Sequence, residues 1–149
     1  MAEILDLPLI HLDQHFWHPD WVKPSNEEWD RVTTELARGD AWIMDGNYSG
    51  TIDNRLPRAE AAVLLDIPPW RCVPRVLKRY FSGERPDLPE GCTDKVMDPE
   101  FLWYIVSYRW RSRPRVLARV AKHSHVSLTT LRSNREVERF VTGLIQSKT

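Results

Sequence analysis

Short apolar runs that suit buried β-strands alternate with longer stretches of helical pattern along this sequence. Four runs have the length and composition of such strands: Leu7–His11, Ala41–Met44, Ala61–Leu65 and His125–Leu128. Strands of this kind separated by helices are typical of a mostly parallel sheet that helices cover on both faces. A chain of 149 residues is long enough for one such domain. We therefore predict a single three-layer α/β domain over residues 1–149.

Capping residues, glycine and proline mark where the intervening helices begin and end. The predicted helices run from Ser25 to about Arg38, from Pro69 to about Phe81, from Pro99 through Tyr108, from Pro114 through Val120, and from Ser133 to about Ile145. Gly39 is predicted to end the first of them. Residues 82–98 are polar and rich in turn formers, which predicts a lid-like flap.

The sequence has the features of a protein that stays in the cytoplasm. No uninterrupted apolar run approaches the roughly 18 residues that a membrane helix needs. The first residues carry acids instead of the basic region of a secretory signal. The two cysteines, Cys72 and Cys92, are too few for a disulfide framework and lack the spacing of a zinc site. We predict a cytoplasmic protein with reduced thiols and no membrane association.

Charge is distributed unevenly along a chain whose formal net charge is zero. Residues 1–70 contain 5 Lys/Arg and 13 Asp/Glu, a net charge of −8, whereas residues 71–149 contain 16 and 8, a net charge of +8. This separation indicates a basic surface for an anionic ligand, with acidic groups available for a metal ion or for substrate hydroxyls. The alternative is that the two halves simply attract each other.

Acidic residues follow three of the four predicted strands. Asp13, the Asp45-Gly46-Asn47 run and Asp66 come just after the strand ends. In parallel sheets ligands bind at the carboxyl ends of the strands, so these residues are the first candidates for a functional site. Aspartate is also a common turn residue, which is the structural alternative for each position taken alone.

The chain resembles the bacterial topology modulation proteins, a branch of the adenylate-kinase-related P-loop kinases. The resemblance extends in order over nearly the whole sequence, through Ile10–Asp13, Trp17, Pro19, Trp21, Glu28-Trp29, Trp42–Tyr48, Arg55–Ala59, Leu65–Pro68, Arg85–Asp87, Gly91-Cys92, Phe101, Trp103, Arg113–Arg115, Leu131–Ser133, Glu136 and Phe140. The resemblance implies a P-loop kinase-like parallel sheet with helices on both faces. It also implies ATP and Mg²⁺ as cofactors and ATP-dependent phosphoryl transfer to a small molecule or nucleotide.

The family begins with a strand, a GxxxxGK[ST] phosphate loop (Walker A) and a helix, and the six glycines here do not form that loop. By this resemblance about 20 to 25 residues are missing upstream, either in a functional short form or through a misassigned start codon. Residues 2–5 would be the tail of the missing helix. The missing strand would lie centrally, between Ala41–Met44 and Ala61–Leu65. We expect no measurable ATP binding by this chain.

The resemblance assigns roles to the residues at the strand ends. Asp45 would hold Mg²⁺ through water, as a Walker-B-like acid. Asp13 would orient or deprotonate the hydroxyl of the acceptor molecule, if that hydroxyl lies within hydrogen-bond reach. Asn47 would contact the substrate. A turn chosen for its backbone geometry is the alternative for Asp45.

Five arginines are candidates for binding anionic groups. Arg55 and Arg58 match substrate-binding arginines of the family, and a planar guanidinium can bind phosphate or carboxylate with two hydrogen bonds. Arg75 and Arg79 lie four residues apart on one helix face, ahead of Arg85 in the flap. These three would act as catalytic lid arginines that neutralise the transferring phosphoryl group. Solvated surface charge is the alternative.

Two tryptophans after the first strand are candidates for the acceptor pocket. Trp17 and Trp21 would stack on a planar or sugar ligand, or would pack over the edge of the core instead. The neighbouring histidines His11, His15 and His18 match no metal-binding spacing, so no further metal site is predicted.

Three classes of function remain in competition. The first is an ATP-dependent kinase relative, impaired in this chain because its phosphate loop is absent. The second is a non-catalytic binding module or pseudo-enzyme that retains the acceptor site. The third, nucleic-acid binding through residues 109–119, is disfavoured because the net charge is zero and no DNA-reading motif is present.

Overall fold

Two pairs of parallel strands organise the chain, which the computed structural model describes over residues 1–82, 91–92 and 99–148. β1 (Leu9–His11) pairs with β2 (Ile43–Asp45), and β3 (Ala61–Leu65) pairs with β4 (Ser127–Leu131). β3 has the predicted bounds, whereas β2 and β4 begin two residues later than predicted, at 43 instead of 41 and at 127 instead of 125. The predicted mixed helix and strand class is confirmed. Over the described ranges the four strands form two sheets of two, with no ladder between β2 and β3.

Seven α-helices accompany these strands in the described residues. They are α1 (Ala2–Leu5), α2 (Leu12–Phe16), α3 (Asn26–Leu36), α4 (Pro69–Ser82), α5 (Pro99–Arg111), α6 (Arg113–Val120) and α7 (Asn134–Lys148). The short helix α2 was not predicted. Apart from Ser82, Gly91 and Cys92, the predicted flap lies outside the described residues. No helix in the described ranges has both the length and the apolar character that crossing a membrane requires.

The predicted serines cap α3 and α7, and at α7 the glutamate three residues later also accepts from a backbone N–H. Ser25 Oγ accepts a hydrogen bond of 3.1 Å from the backbone N–H of Glu28. At α7, Ser133 Oγ accepts from the N–H of Glu136, and the Glu136 carboxylate accepts from the N–H of Arg132 at 2.8 Å. These bonds satisfy helix N–H groups that have no partner within the helix. α3 ends at Leu36, earlier than predicted, so Gly39 does not terminate it.

The segment from residue 51 to residue 58 contains neither strand nor α-helix, yet its residues Thr51, Ile52, Arg55 and Leu56 are buried. It consists of two short 3₁₀ turns, Ile52–Asn54 and Leu56–Arg58. The side chain of Asn54 donates hydrogen bonds to the backbone oxygen and the carboxylate of Asp30 and to Thr33 Oγ1, which fastens the segment to α3. Sequence patterns did not predict this segment as a structural element.

The largest apolar cluster lies between this segment, β3 and α6. Its buried members are Ile52, Leu56, Leu64, Val116, Val120 and Val126, with Ala59, Ala62, Tyr108 and Leu117 packed around them. Residues Ala62 and Leu64 alternate along β3, so they present one face of the strand to this cluster. The core therefore joins the residues that follow β2 to the second pair of strands.

Several strand leucines are more exposed than a sheet covered on both faces would allow. The exposed fraction is 47% for Leu9, 57% for Leu65 and 41% for Leu128. Parallel strands are normally buried on both faces. The prediction of helices covering both faces of one sheet is therefore only partly met by the described residues.

Replacing Leu64 with alanine should destabilise the fold by about 2 to 5 kcal/mol, because it removes a buried side chain and leaves a cavity. Leu65→Ala, at the next position on the opposite face of β3, is the matched control and should cost less than about 1 kcal/mol. Chemical denaturation followed by circular dichroism measures both. Equal losses in the two variants would contradict the assignment of the buried face.

Candidate functional site

The register of β1 and β2 brings the first two acids to the same end of the strand pair. His11 lies opposite Asp45 in the parallel ladder, and His11 Nδ1 is 3.2 Å from Asp45 Oδ2. Asp13 follows two residues after His11, in the first turn of α2. Asp13 and Asp45 therefore lie at the same end of the strand pair, while their predicted chemical roles remain predictions.

Tyr48 orients the carboxylate of Asp13. Its hydroxyl donates a hydrogen bond of 2.5 Å to Asp13 Oδ1. The ring of Tyr48 lies against Phe16 and Trp29, with centroid distances of 4.7 and 4.8 Å. Burial, followed by the interaction with Asp13, raises the pKa of Tyr48, so the phenol stays a hydrogen-bond donor at neutral pH. Tyr48 lies within the motif that carries the family resemblance, but no residue pattern pairs it with a residue 35 positions away.

The turn after β2 holds Asp45 and Asn47 in a fixed backbone conformation. Gly46 has φ of 138°, and a Cβ at this position would lie 2.9 Å from Leu12 Cβ. Only glycine fits this combination of dihedral angle and close approach. The side-chain amide of Asn47 donates to the hydroxyl of Tyr104 on α5. Asn47 therefore connects the end of β2 to α5, and its predicted contact with substrate is untested.

The guanidinium of Arg55 holds this turn through hydrogen bonds to the backbone. Its Nη1 donates to the carbonyl oxygen of Gly46 at 3.0 Å, and its Nη2 donates to that of Asn47 at 2.6 Å. Burial lowers the pKa of Arg55 to about 10, which leaves the guanidinium charged at neutral pH. Nη1 and Nη2 both donate to carbonyl oxygens of the main chain, so Arg55 supports the structure of the turn. Arg58 is exposed and donates to the carbonyl oxygen of Gly39 at 3.1 Å.

The two predicted pocket tryptophans are in contact with each other. The rings of Trp17 and Trp21 meet edge to face, with centroids 5.4 Å apart, and Lys23 Nζ lies 5.6 Å from the Trp17 ring. Asp20 and Trp21 have φ values of 60° and 61°, in the left-handed region that side chains rarely adopt. A strained backbone in an aromatic loop beside Asp13 is consistent with either a ligand wall or a structural cap.

Gly91 and Cys92 hold this aromatic loop from a distant part of the sequence. The carbonyl oxygen of Gly91 accepts from the N–H of Asp20 at 3.3 Å, and Cys92 Sγ donates to the carbonyl oxygen of His18 at 3.4 Å. Cys92 is buried, and Gly91 has φ of 75° against Pro19. We call this pair of residues the loop anchor. Among the described residues of the predicted flap, Gly91 and Cys92 are the two that contact the aromatic loop.

Asp66, the third strand-end acid, belongs to a different cluster. It is buried at the end of β3 and faces arginines from α5 and α6.

Arg75 lies on α4 and donates to Asn134 Oδ1 at 2.7 Å, at the start of α7. The side chain of Arg79 and all of Arg85 lie outside the described residues. Of the three predicted lid arginines, only the position of Arg75 is therefore described.

The acids at the first strand pair suit a magnesium ion bound through water molecules better than a metal ion that side chains ligate directly. Across the described ranges, no group of three or more His, Cys, Asp or Glu side chains is close enough to hold a metal ion. The side chain of Asp45 is 72% exposed, and its Oδ2 lies 3.2 Å from His11 Nδ1. Mg²⁺ usually keeps several waters and binds one or two carboxylates together with substrate phosphates. Asp45 fits such a water-mediated contact, whereas the sequence has no loop that fits the ATP triphosphate.

Changing Arg55 to lysine should lower the free energy of unfolding by about 1 to 3 kcal/mol, because one ammonium cannot bond both carbonyl oxygens at the guanidinium spacing. Arg58→Lys is the matched control, because Arg58 is a nearby exposed arginine. This change should alter the free energy of unfolding by less than about 0.5 kcal/mol. Urea denaturation of both variants checks the prediction. Indistinguishable midpoints would show that Arg55 does not hold the turn.

Changing Gly91 to alanine should loosen the loop anchor, because a Cβ there would lie 2.9 Å from Pro19 Cβ and alanine would need a left-handed conformation. A strain of about 1 to 2 kcal/mol corresponds to roughly 5- to 30-fold more frequent opening. The reaction rate of the Cys92 thiol with a chromogenic disulfide, in a Cys72→Ser background, should rise by that factor. Gly50→Ala is the control, since nothing lies within 4 Å of its added Cβ. If the Cys92 thiol reacts with the disulfide at an unchanged rate, the loop anchor does not keep the thiol buried.

Comparison with known proteins does not identify a family for this chain. No protein-family model matches it, no curated protein matches it, and no solved structure matches it. The resemblance to the topology modulation proteins therefore rests on the residues of the sequence, and the function must be argued from the geometry of the strand ends.

Proposed function

We propose that this chain is a P-loop kinase-like domain that retains the acceptor-binding side of an ATP-dependent phosphotransferase. The observation that carries the proposal is the pairing of Asp13 with Tyr48 beside Asp45, at the carboxyl end of parallel strands. Ligands of parallel α/β proteins bind at this end. An oriented, exposed carboxylate in that position is the group that activation of an acceptor hydroxyl requires.

The strand arrangement supports the same proposal. β1–β2 and β3–β4 are both parallel, and β2 and β3 are not hydrogen-bonded to each other in the described residues. In the proposed architecture a further parallel strand lies between β2 and β3. That strand would hydrogen-bond to both and convert the two pairs into one sheet. The discontinuity lies at the position where the resemblance places the first strand of the family.

Each residue of the site has a defined part in the proposed chemistry. Asp13, held by the Tyr48 hydroxyl, accepts a hydrogen bond from the acceptor hydroxyl and can take its proton. Trp17 and Trp21 form the apolar wall of the acceptor pocket. Asp45 holds the water shell of Mg²⁺, which when bound neutralises phosphate charge. The chain fits these acceptor-side roles without a phosphate loop.

A non-catalytic binding module is the second candidate. It uses the same acceptor site at Asp13 and Tyr48. Turnover separates the two candidates. The binding module retains acceptor affinity with no phosphoryl transfer under any condition, whereas the kinase domain regains transfer when a strand and phosphate loop are fused upstream.

Replacing Asp13 with asparagine should abolish most of the acceptor affinity. A panel of nucleoside monophosphates and hydroxylated small molecules is screened by thermal shift, and the best binder is titrated by calorimetry. We expect Asp13→Asn to weaken it at least about tenfold, or about 1.4 kcal/mol, because an amide oxygen is a weaker acceptor than a carboxylate. The control is Asp40→Asn, an exposed acid outside the site. If the whole panel fails to bind, or if both variants bind as the parent does, the acceptor site is refuted.

Titration of Mg²⁺·ATP into the same protein should give no measurable heat of binding. The main-chain amides and the lysine of a phosphate loop supply most contacts to the triphosphate in P-loop proteins. A micromolar dissociation constant for ATP would contradict this part of the proposal. Adenosine titrated alone controls for affinity that comes from the base.

A further inference from the structure

Two consecutive residues of the turn after β2 each hold a polar side chain that lies far away in the sequence. The hydroxyl of Tyr48 donates to Asp13 Oδ1, and the side-chain amide of Asn47 donates to the hydroxyl oxygen of Tyr104 on α5. The turn itself is fixed, because Arg55 bonds the carbonyl oxygen of Asn47. Asp13 and Tyr104 are therefore both held against this turn, at the carboxyl end of the first strand pair.

The hydroxyl of Tyr104 accepts the hydrogen bond from Asn47 and keeps a proton of its own. A phenol has one O–H donor and acceptor lone pairs on its oxygen. Asn47 uses a lone pair, and among the described residues no oxygen or nitrogen accepts the Tyr104 proton. Tyr104 is 39% exposed, and its contact with Asn47 lies at the surface. This side chain therefore presents a hydrogen-bond donor to a ligand.

The carboxylate of Asp13 presents the complementary acceptor. Its Oδ1 takes the hydrogen bond from Tyr48, whereas no donor within the described ranges bonds Oδ2. Burial raises the pKa of Tyr104, the hydrogen bond from Asn47 opposes this effect, and the charge of Asp13 adds to it. The phenol therefore stays protonated at neutral pH, and the two groups are near enough to interact electrostatically.

The backbone of Tyr48 is strained at the point that joins the two groups. Its φ of 30° lies in the left-handed region that residues with a side chain rarely adopt. The ring of Tyr48 packs against Phe16 and Trp29, which enforces this conformation. Strained residues that their surroundings hold in place are concentrated at active sites and ligand sites.

We propose that Asp13 and Tyr104 recognise an uncharged vicinal diol of the acceptor molecule, such as the diol of a sugar ring. One hydroxyl donates to Asp13 Oδ2, and its neighbour accepts from the Tyr104 O–H. Tyr104 thereby determines which hydroxyl faces Asp13. A carboxylate or phosphate in this position would be repelled by Asp13 and Asp45, and the rings of Trp17 and Trp21 suit the apolar face of a sugar. This inference names the substrate class of the proposed function and rests on it.

NMR titration of the 149-residue chain with methyl β-D-ribofuranoside, which has one vicinal diol, tests the inference. The matched probes are its 2-deoxy and 3-deoxy derivatives, each of which lacks one hydroxyl of the diol. We expect the parent protein to bind the diol at least about fivefold more tightly than either deoxy probe, because each deoxy probe leaves one polar group of the site without a partner. No binding of the diol, or equal binding of the three probes, overturns the inference.

Tyr104→Phe separates recognition of the diol from structural support. The preference over one deoxy probe should fall below about twofold, while the preference over the other remains, because one hydroxyl alone has lost its partner. Loss of structural support would weaken all three probes by the same factor and keep both preferences. Tyr108→Phe, the same change one turn further along α5 and against the apolar core, is the matched control and should keep both. Two unchanged preferences in Tyr104→Phe contradict the inference.

The same measurements distinguish failure of this inference from failure of the proposed function. If Asp13→Asn weakens binding while both preferences survive in Tyr104→Phe, the diol inference is wrong and the acceptor site stands. If Tyr104→Phe removes one preference, but a strand and phosphate loop fused upstream restore no phosphoryl transfer, the diol site stands and the kinase function is wrong.

Adenosine identifies the source of the diol, because it carries the same ribofuranose attached to a base. Adenosine that binds more tightly than the furanoside, and loses this affinity in Tyr104→Phe, assigns the site to a ribonucleoside. An affinity no greater than that of the furanoside assigns it to a free sugar. Tight binding of adenosine that survives Tyr104→Phe places recognition elsewhere and contradicts the inferred site.

Discussion

The segment from residue 51 to residue 58, with its four buried side chains, is the element on which the arrangement of the two strand pairs depends. Arg55 bonds two carbonyl oxygens of the turn after β2, and Asn54 bonds α3. Ile52 and Leu56 pack in the same core as Leu64 of β3. Because no backbone ladder joins β2 to β3 in the described residues, side chains of this segment carry the connection. Its own backbone forms 3₁₀ turns, which satisfy part of its hydrogen-bonding capacity locally.

The two strand pairs end in regions of opposite electrostatic character. Asp13 and Asp45 lie exposed at the end of β1 and β2, whereas arginines surround the single carboxylate at the end of β3. This division reflects the charge of −8 in residues 1–70 and +8 in residues 71–149. The ion pairs between the two halves agree with the interpretation that the halves attract each other. Asp66 and Asp53 form ion pairs with arginines of the basic half, while other acids of the first half stay open to solvent.

Local signals in the sequence predicted the four strands and the longer helices, although not all of their bounds, and they did not predict α2 or the contacts that build the site. Capping by Ser25 and Ser133 and the apolar run of β3 depend on neighbouring residues, so they could be predicted. The 51–58 segment could not, because its residues have neither period of a helix or strand and are buried only through tertiary contacts. The partnership of Tyr48 with Asp13 spans 35 positions, and that of Asp66 with Arg113 spans 47. Residue spacing carries no information about such pairs. The candidate acids could be selected from the sequence because ligands of parallel sheets bind at the carboxyl ends of the strands, a rule that depends on topology.

Helix α5 touches both halves of the molecule through side chains on a single rigid cylinder. Tyr104 meets Asn47 beyond β2, and Arg109, five residues later, meets Asp66 beyond β3. Rotating a helix by one residue turns every side chain by about 100°, so such a rotation would remove both contacts at once. Helix α5 therefore joins the acidic and basic strand ends through side chains, although no hydrogen-bond ladder connects β2 to β3 in the described residues.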